Sequence, residues 1–94
     1  MRIVNVTQTA SIVGINQLLV CTSQNPIAVT LSRSASGTHG GYYIKNIGVG
    51  AVTVTPQVND LIDGQATWIL AQYEAINIID YDTNTWIILS HDHV

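Results

Sequence analysis

The sequence is poor in charge. Only nine of its 94 residues are charged, which is 10% where roughly 25% is usual, whereas 47% are hydrophobic. Three basic residues cannot neutralise a path of phosphates, which argues against a nucleic-acid-binding role. Nine charges also cannot cover the surface of a monomer of this size. The composition therefore predicts that Ser, Thr, Asn and Gln solvate part of the surface and that other chains bury the rest.

Cysteine and long apolar runs are also scarce. Cys21 is the single cysteine, so no internal disulfide can form, and its place in an apolar run predicts that it packs as a small hydrophobe. No unbroken apolar segment of a secretory signal follows Arg2, and the longest apolar runs are too short to span a bilayer. We therefore expect a soluble protein that is made in a reducing cytoplasm and has no membrane partner.

The sequence lacks the common catalytic motifs. No Ser lies in a G-x-S-x-G pattern, and the glycines of Gly37–Gly41 are not followed by the Lys-Ser or Lys-Thr of a phosphate loop. The acidic residues cluster in two predicted turns, Asp60 with Asp63 and Asp80 with Asp82, where carboxylates usually bind local backbone amides. We therefore predict that the protein is not an enzyme and binds no cofactor. A small β-barrel enzyme or ligand carrier would need convergent polar groups, which the sequence does not offer.

The spacing of two histidines near the end of the sequence is compatible with metal binding. In an extended chain, His91 and His93 point the same way. Two imidazoles per chain are too few for a closed structural site, whereas three chains around an axis would offer six nitrogens to an octahedral ion. A solvated C-terminal tail is the alternative that we favour, because chain ends are usually loose. We predict no metal site.

The residues that are abundant favour strands. Ile (13), Val (10) and Thr (10) dominate, and all three are β-branched. Apolar residues alternate with polar ones in short segments separated by turn residues. The predicted strands are Arg2–Thr7, Thr9–Ile15, Gln17–Thr22, Ile27–Leu31, Tyr42–Ile47, Ala51–Thr55, Ala66–Leu70, Glu74–Ile79 and Thr85–Ser90. We therefore predict an all-β fold with no helix of useful length.

Turn residues suggest how these strands are joined. Two hairpins are predicted: Tyr42–Ile47 with Ala51–Thr55 across Gly48-Val49-Gly50, and Glu74–Ile79 with Thr85–Ser90. In the first, glycine would supply the positive φ of a tight turn. The pair Leu61-Ile62 is predicted as a corner whose two side chains fill the core. The expected fold is a single domain over residues 1–94, a β-sandwich or small barrel of eight to nine short antiparallel strands.

The last predicted strand is apolar on both faces, with Trp86 and Ile88 on one and Ile87 and Leu89 on the other. Such a strand lies either between two layers or against another subunit. Together with the low charge, this pattern predicts assembly as a homotrimer. The candidate interface residues are Ile3, Val4, Val6, Trp86 and Ile88.

About two-thirds of the chain, residues 30–89, resembles a β-module of tailed-phage virion proteins. The resemblance is carried by Thr30-Leu31-Ser32, Tyr43-Ile44-Lys45-Asn46-Ile47-Gly48, Val52-Thr53-Val54-Thr55-Pro56, Asp60-Leu61-Ile62-Asp63-Gly64, Leu70-Ala71-Gln72-Tyr73-Glu74 and Asn84-Thr85-Trp86. Such modules occur in fibres, tail tips and head decorations, often as trimers. The resemblance therefore implies a structural protein of the virion.

The resemblance leaves two roles open. Because the module is a short chain without a stalk, we favour a capsid decoration, or cement, protein that binds the major capsid protein or another virion protein. It would be made in the host cytoplasm and would reside in the virion, with residues 1–13 as the arm that contacts the capsid. The alternative is a tail or fibre module that binds a host receptor or a surface glycan. The aromatic residues that could contact a glycan are Trp68, Tyr42, Tyr43 and Tyr81.

Overall fold

The computed structural model describes residues 2–12, 16–32 and 40–92, and these residues form strands and turns without a helix. The ten strands are β1 (Arg2–Val6), β2 (Ala10–Ser11), β3 (Gln17–Cys21), β4 (Ile27–Thr30), β5 (Gly41–Asn46), β6 (Val52–Thr55), β7 (Leu61–Ile62), β8 (Trp68–Leu70), β9 (Ala75–Asp82) and β10 (Thr85–Asp92). The all-β prediction is confirmed. The number of strands exceeds the predicted eight to nine because the corner at Leu61-Ile62 is itself a short strand. Within the described ranges, no helix is long and apolar enough to cross a membrane.

The strands form two sheets. Sheet A has six strands in the order β1-β3-β5-β9-β10-β7, and sheet B has four in the order β2-β4-β6-β8. Apolar side chains from both sheets form one continuous buried cluster. The two layers therefore enclose a common core, as in a sandwich.

The chain passes alternately from one sheet to the other through its first eight strands. As a result, β1, β3 and β5 are parallel neighbours in sheet A, and β2, β4 and β6 are parallel neighbours in sheet B. The prediction of antiparallel strands is therefore wrong for this part of the molecule. Antiparallel pairing is limited to β5 with β9, β9 with β10 and β6 with β8 among the described strands.

The predicted hairpin around Gly48-Val49-Gly50 is wrong, because β5 lies in sheet A and β6 in sheet B. The turn packs on the turn before it: the Gly50 N–H donates to the Ser23 carbonyl oxygen over 3.0 Å. A Cβ on Gly50 would overlap the carbonyl oxygen of Asn25. Close approach between stacked turns, and not positive φ, is therefore what requires glycine here; Gly64 is the described glycine with positive φ.

The second predicted hairpin is confirmed. Strands β9 and β10 are antiparallel, with Trp86 opposite Asp80 and Ile88 opposite Ile78. A register shift between Ile88 and Ser90 marks a bulge. The strands extend beyond the predicted bounds, so that His91 and Asp92 belong to β10 and not to a tail.

Most predicted core faces are confirmed. The buried side chains include Ile27, Val29 and Leu31, Val52 and Val54, Ile76 and Ile78, Tyr42 and Ile44, and Cys21. The prediction for the corner is only half right: Ile62 is fully buried, whereas Leu61 is 43% exposed. Leu61 and Ile62 are consecutive residues of the short strand β7, which pairs with β10, and consecutive side chains of a strand point to opposite faces of its sheet.

One polar side chain, Asn46 at the end of β5, is fully buried. Its Nδ2 donates to the carbonyl oxygens of Gly50 and Leu70 over 3.0 and 3.1 Å, and its Oδ1 accepts the Gly48 N–H over 3.0 Å. Asn46 therefore links the turn after β5 to the end of β8 in the other sheet.

Candidate interaction surface

The outer surface of sheet A is unusually apolar. Side chains alternate along its strands, and the ones that point away from the core are largely aliphatic or aromatic. We call this surface the apolar face and define it by Ile3, Leu18, Val20, Tyr43, Ile79 and Ile87. Ile3 is 65% and Tyr43 47% exposed, and the other four are half-buried. Exposed apolar patches on a sheet are typical of contact surfaces.

The strand register places these residues side by side. Ile3 lies opposite Leu18, and Leu18 lies opposite Tyr43, so the three form a row across β1, β3 and β5. Ile79 lies opposite Ile87 in the neighbouring hairpin. Asn77 lies opposite Tyr43, and Ile79 lies diagonally from Tyr43 in the groove that both line, so the two apolar groups adjoin there.

Tyr43 separates two shallow grooves on this face. The first, of about 320 Å³, is lined by Asn16, Asn77, Ile79 and Leu89 among others. The second, of about 200 Å³, is lined by residues that include Leu18, Asn77 and Asp92. The ring of Tyr43 is thus a ridge at the centre of the face, with polar amide groups beside it.

The outer surface of sheet B is different. Ser11, Thr30 and Thr55 form one row across it, and Ala28, Thr53 and Ile69 form a second. The hydroxyl groups of Ser and Thr bind water, so this surface is hydrated without charged residues. Thr is also a favourable residue in strands. The prediction that uncharged polar residues solvate part of the surface fits sheet B, which leaves the apolar face of sheet A as the candidate contact surface.

The structure distributes the five predicted interface residues between core and surface. Val6 and Trp86 are buried in the core of this chain, Val4 and Ile88 pack against that core, and Ile3 is exposed on the apolar face. We therefore expect changes at Val6 and Trp86 to act on folding first. On the last strand, Ile87 points outward on the apolar face, and Leu89, at the bulge, is 57% exposed.

Sequence reasoning missed Leu18, Val20 and Ile79 as surface residues. Their strands each carry a second apolar set opposite the core set, and the run Gln17–Cys21 is apolar on both faces. A strand with apolar residues on both faces indicates that its outer face also contacts protein. This conclusion was drawn from the sequence only for the last strand.

The acidic residues have more than one role. Asp82 accepts the N–H of Thr83 over 2.8 Å, as predicted for a turn aspartate, and Asp63 accepts the more distant Ile88 N–H over 3.0 Å. Asp60 and Asp80 are buried, with 3% and 2% exposure, and so are not ordinary turn residues. No described residues form a group of three or more His, Cys, Asp or Glu side chains that could hold a metal ion.

Of the two histidines considered for metal binding, the structure describes His91, whereas His93 lies outside the described residues. The Nε2 of His91 is 3.8 Å from a Glu74 carboxylate oxygen, and its ring meets Trp68 edge-on with the centroids 5.4 Å apart. Cys21 is buried, and desolvation raises the pKa of its thiol to about 11, so the thiol stays protonated at neutral pH.

The aromatic residues proposed for glycan contact also divide. Tyr42 is buried against Trp86, with ring centroids 5.7 Å apart, and its hydroxyl lies 3.0 Å from the Ser32 hydroxyl. Trp68 is half-buried. Tyr43 and Tyr81 are exposed, at 47% and 58%.

Comparison of the chain with protein-family models, with curated proteins and with solved structures found no match.

Proposed function

We propose that the protein is a structural component of a tailed-phage virion, and that it acts as a capsid decoration protein which assembles as a homotrimer. The observation that carries this proposal is the apolar face of sheet A. A surface of this kind is suited to contact with protein and not to chemistry on a small molecule. The resemblance of residues 30–89 to virion β-modules supports a location in the virion and an assembly of three subunits.

A threefold assembly can use the apolar face of each copy. Three copies could pack their apolar faces around one axis, with Tyr43 near the middle of each contact. Two of the described residues bring charge to this side of sheet A. Lys45 lies opposite Val20 and donates its Nζ to the Tyr73 carbonyl oxygen, and Asp92 lies at the end of β10. Burial of the face would therefore desolvate few charged groups.

The segment proposed to contact the capsid, residues 1–13, contains β1 and β2. These strands lie at the same end of the sandwich, one at the edge of each sheet. A contact through the outer edge of β1 and through β2 would leave the apolar face to the trimer, although Ile3 of β1 belongs to that face. The two proposed surfaces are therefore compatible on one molecule.

The proposal predicts attachment to phage heads. When purified protein is added to heads that lack it, we expect it to bind the assembled shell and to raise the temperature at which the heads lose DNA. Binding only to the assembled shell stabilises it by about 2.7 kcal/mol per site at a hundredfold excess over the dissociation constant. The measurement is DNA release against temperature, with and without added protein. Heads that neither bind the protein nor gain stability would contradict the decoration role.

A tail or fibre module remains the second candidate, and the setting of Tyr43 favours it. An exposed ring beside the amides of Asn16 and Asn77 could stack on a sugar whose hydroxyls those amides bind. This reading predicts binding to host cells, with loss of binding in Tyr43→Ala. Binding to cells without binding to heads would support the fibre role over decoration.

A further inference from the structure

The free edge of β1 differs from the other sheet edges of the molecule. β1 has five residues, whereas the edge strands β2 and β7 have two each and β8 has three. The outer side of β7 is closed, because Ile62 and Gln65 exchange two backbone hydrogen bonds of 2.8 and 2.7 Å. β1 contains no proline and no lysine, and its Ile3 is exposed. It therefore lacks most of the features that protect an edge from pairing with another chain.

Among the described residues, no strand pairs with the outer edge of β1, and the backbone presents hydrogen-bonding groups there. The Val6 carbonyl oxygen accepts the Thr22 N–H over 3.0 Å, so Val6 bonds toward β3. Because parallel pairing alternates along a strand, Arg2 and Val4 also bond toward β3, and the N–H and C=O groups of Ile3 and Asn5 point away from it. An added strand would find two residues ready to bond.

A cavity lies beside this edge, where the space between the sheets is open. Its volume is about 370 Å³, and it lies between β1 and β2. Its lining is mixed: Val4, Val6, Ala10 and Ile12 belong to the core or pack against it, and polar residues that include Gln8 and Gln17 line the rest. An added strand could place alternate apolar side chains on the four apolar residues and so extend the core.

The charge at this end is positive. Arg2 is the only charged residue among the described residues up to position 32, and its side chain lines the cavity. The described acidic residues all lie between Asp60 and Asp92, in or next to β7, β9 and β10 or in the turn before β9. A segment that carries a carboxylate opposite Arg2 therefore fits this end without repulsion.

We propose that β1 is the acceptor for an extended segment of another polypeptide, which adds a strand to sheet A. The segment is apolar at alternate positions and carries an acidic residue near Arg2. The proposal rests on the proposed function in one respect, since it takes the trimer to form through the outward side chains of the apolar face, Ile3 among them, and to leave the backbone edge of β1 open. Two copies of β1 could pair only about a twofold axis, which a trimer with threefold symmetry lacks. Within one trimer the occupant is therefore a different chain, and pairing of two trimers through β1 would instead give a hexamer, which the test below distinguishes.

The test selects binders to the whole protein from a library of random twelve-residue peptides. We expect binders with apolar residues at alternate positions and an acidic residue toward one end. The decisive variant is Asn5→Pro, which removes an outward N–H and no hydrogen bond to β3. It should weaken peptide binding at least tenfold, whereas the matched Asn5→Ala keeps the N–H and should bind as the wild type does. Arg2→Gln should remove the preference for acidic peptides.

Circular dichroism and thermal unfolding show whether Asn5→Pro keeps the fold. If it does not, Asn5→N-methyl-alanine, made by chemical ligation, removes the same N–H without a ring. The proposal would be overturned if the wild type and the folded variant without this N–H bound peptides equally, or if no peptide bound. A hexameric mass that Asn5→Pro reduces to that of a trimer would also overturn it.

Attachment to heads separates the two proposals. If the folded Asn5→Pro protein binds both the peptides and the heads as the wild type does, the virion role stands and the edge proposal fails. If peptides bind β1 but the wild type ignores heads, the edge proposal stands and the decoration role fails.

Discussion

Replacement of Trp86 by Ala is expected to lower the free energy of unfolding by about 3–5 kcal/mol. Trp86 is fully buried, and its ring packs against Tyr42 with 5.7 Å between centroids. It also lies at the junction of three strands, opposite Asp80 of β9 and Ile62 of β7. Loss of the indole would leave a cavity that these strands cannot close without losing their pairing.

Chemical denaturation measures this change directly. For a chain of this size, a loss of 3 kcal/mol corresponds to a fall in the melting temperature of about 12 °C or more. Tyr81→Ala is the matched control, because Tyr81 is 58% exposed on the adjacent strand, and its replacement should change the stability by about 0.5 kcal/mol or less. A Trp86→Ala protein that folds with normal stability but loses its partners would instead place Trp86 at the interface.

Replacement of Asn46 by Leu should be nearly as damaging, although Leu has a similar size and is apolar. The change would remove the side-chain donor of two buried backbone carbonyl oxygens, those of Gly50 and Leu70. The Gly48 N–H would lose the Asn46 oxygen but keep its bond of 3.1 Å to the Cys21 carbonyl oxygen. Each unsatisfied buried group costs about 1–3 kcal/mol. We therefore expect the free energy of unfolding to fall by about 2 kcal/mol or more.

Asn5→Leu is the control for this prediction, because Asn5 is exposed on β1 and its side chain has no such role. It should remain close to the wild type in the same denaturation experiment. If Asn46→Leu is as stable as the wild type, the hydrogen bonds of Asn46 do not join the two sheets as described.

The sequence allowed the core faces to be predicted but not the path of the chain. Alternation identified Val52 and Val54 as inward-facing because a strand buries every second residue in any sandwich. The same alternation occurs whether a turn returns the chain beside itself or carries it to the opposite sheet. The interpretation of Gly48-Val49-Gly50 as a hairpin therefore had no support from periodicity, and the close packing of Gly50 on Asn25 becomes visible only when the turns are stacked.

The sequence allowed us to predict that the protein has an apolar contact surface but not which residues form it. Low charge and a two-sided apolar strand indicated a contact with other chains, and Ile3, one of the residues predicted for that contact, is exposed. Val6 and Trp86 were named with it because an apolar residue in a strand looks the same whether it faces the core or a partner. Tyr43 was named as a possible glycan contact, and its central position follows from the parallel register of β1, β3 and β5.

The account rests on the claim that other copies of this chain cover the apolar face. Light scattering on the eluting protein at micromolar concentration and physiological salt tests it most directly. We expect the mass of three chains for the wild type and for Thr53→Glu, which places a charge on the outer face of sheet B. Tyr43→Glu should elute with the mass of one folded chain, because assembly would bury an unpaired carboxylate. A wild-type protein that is monomeric under these conditions, or a Tyr43→Glu protein that remains a trimer, would contradict the account.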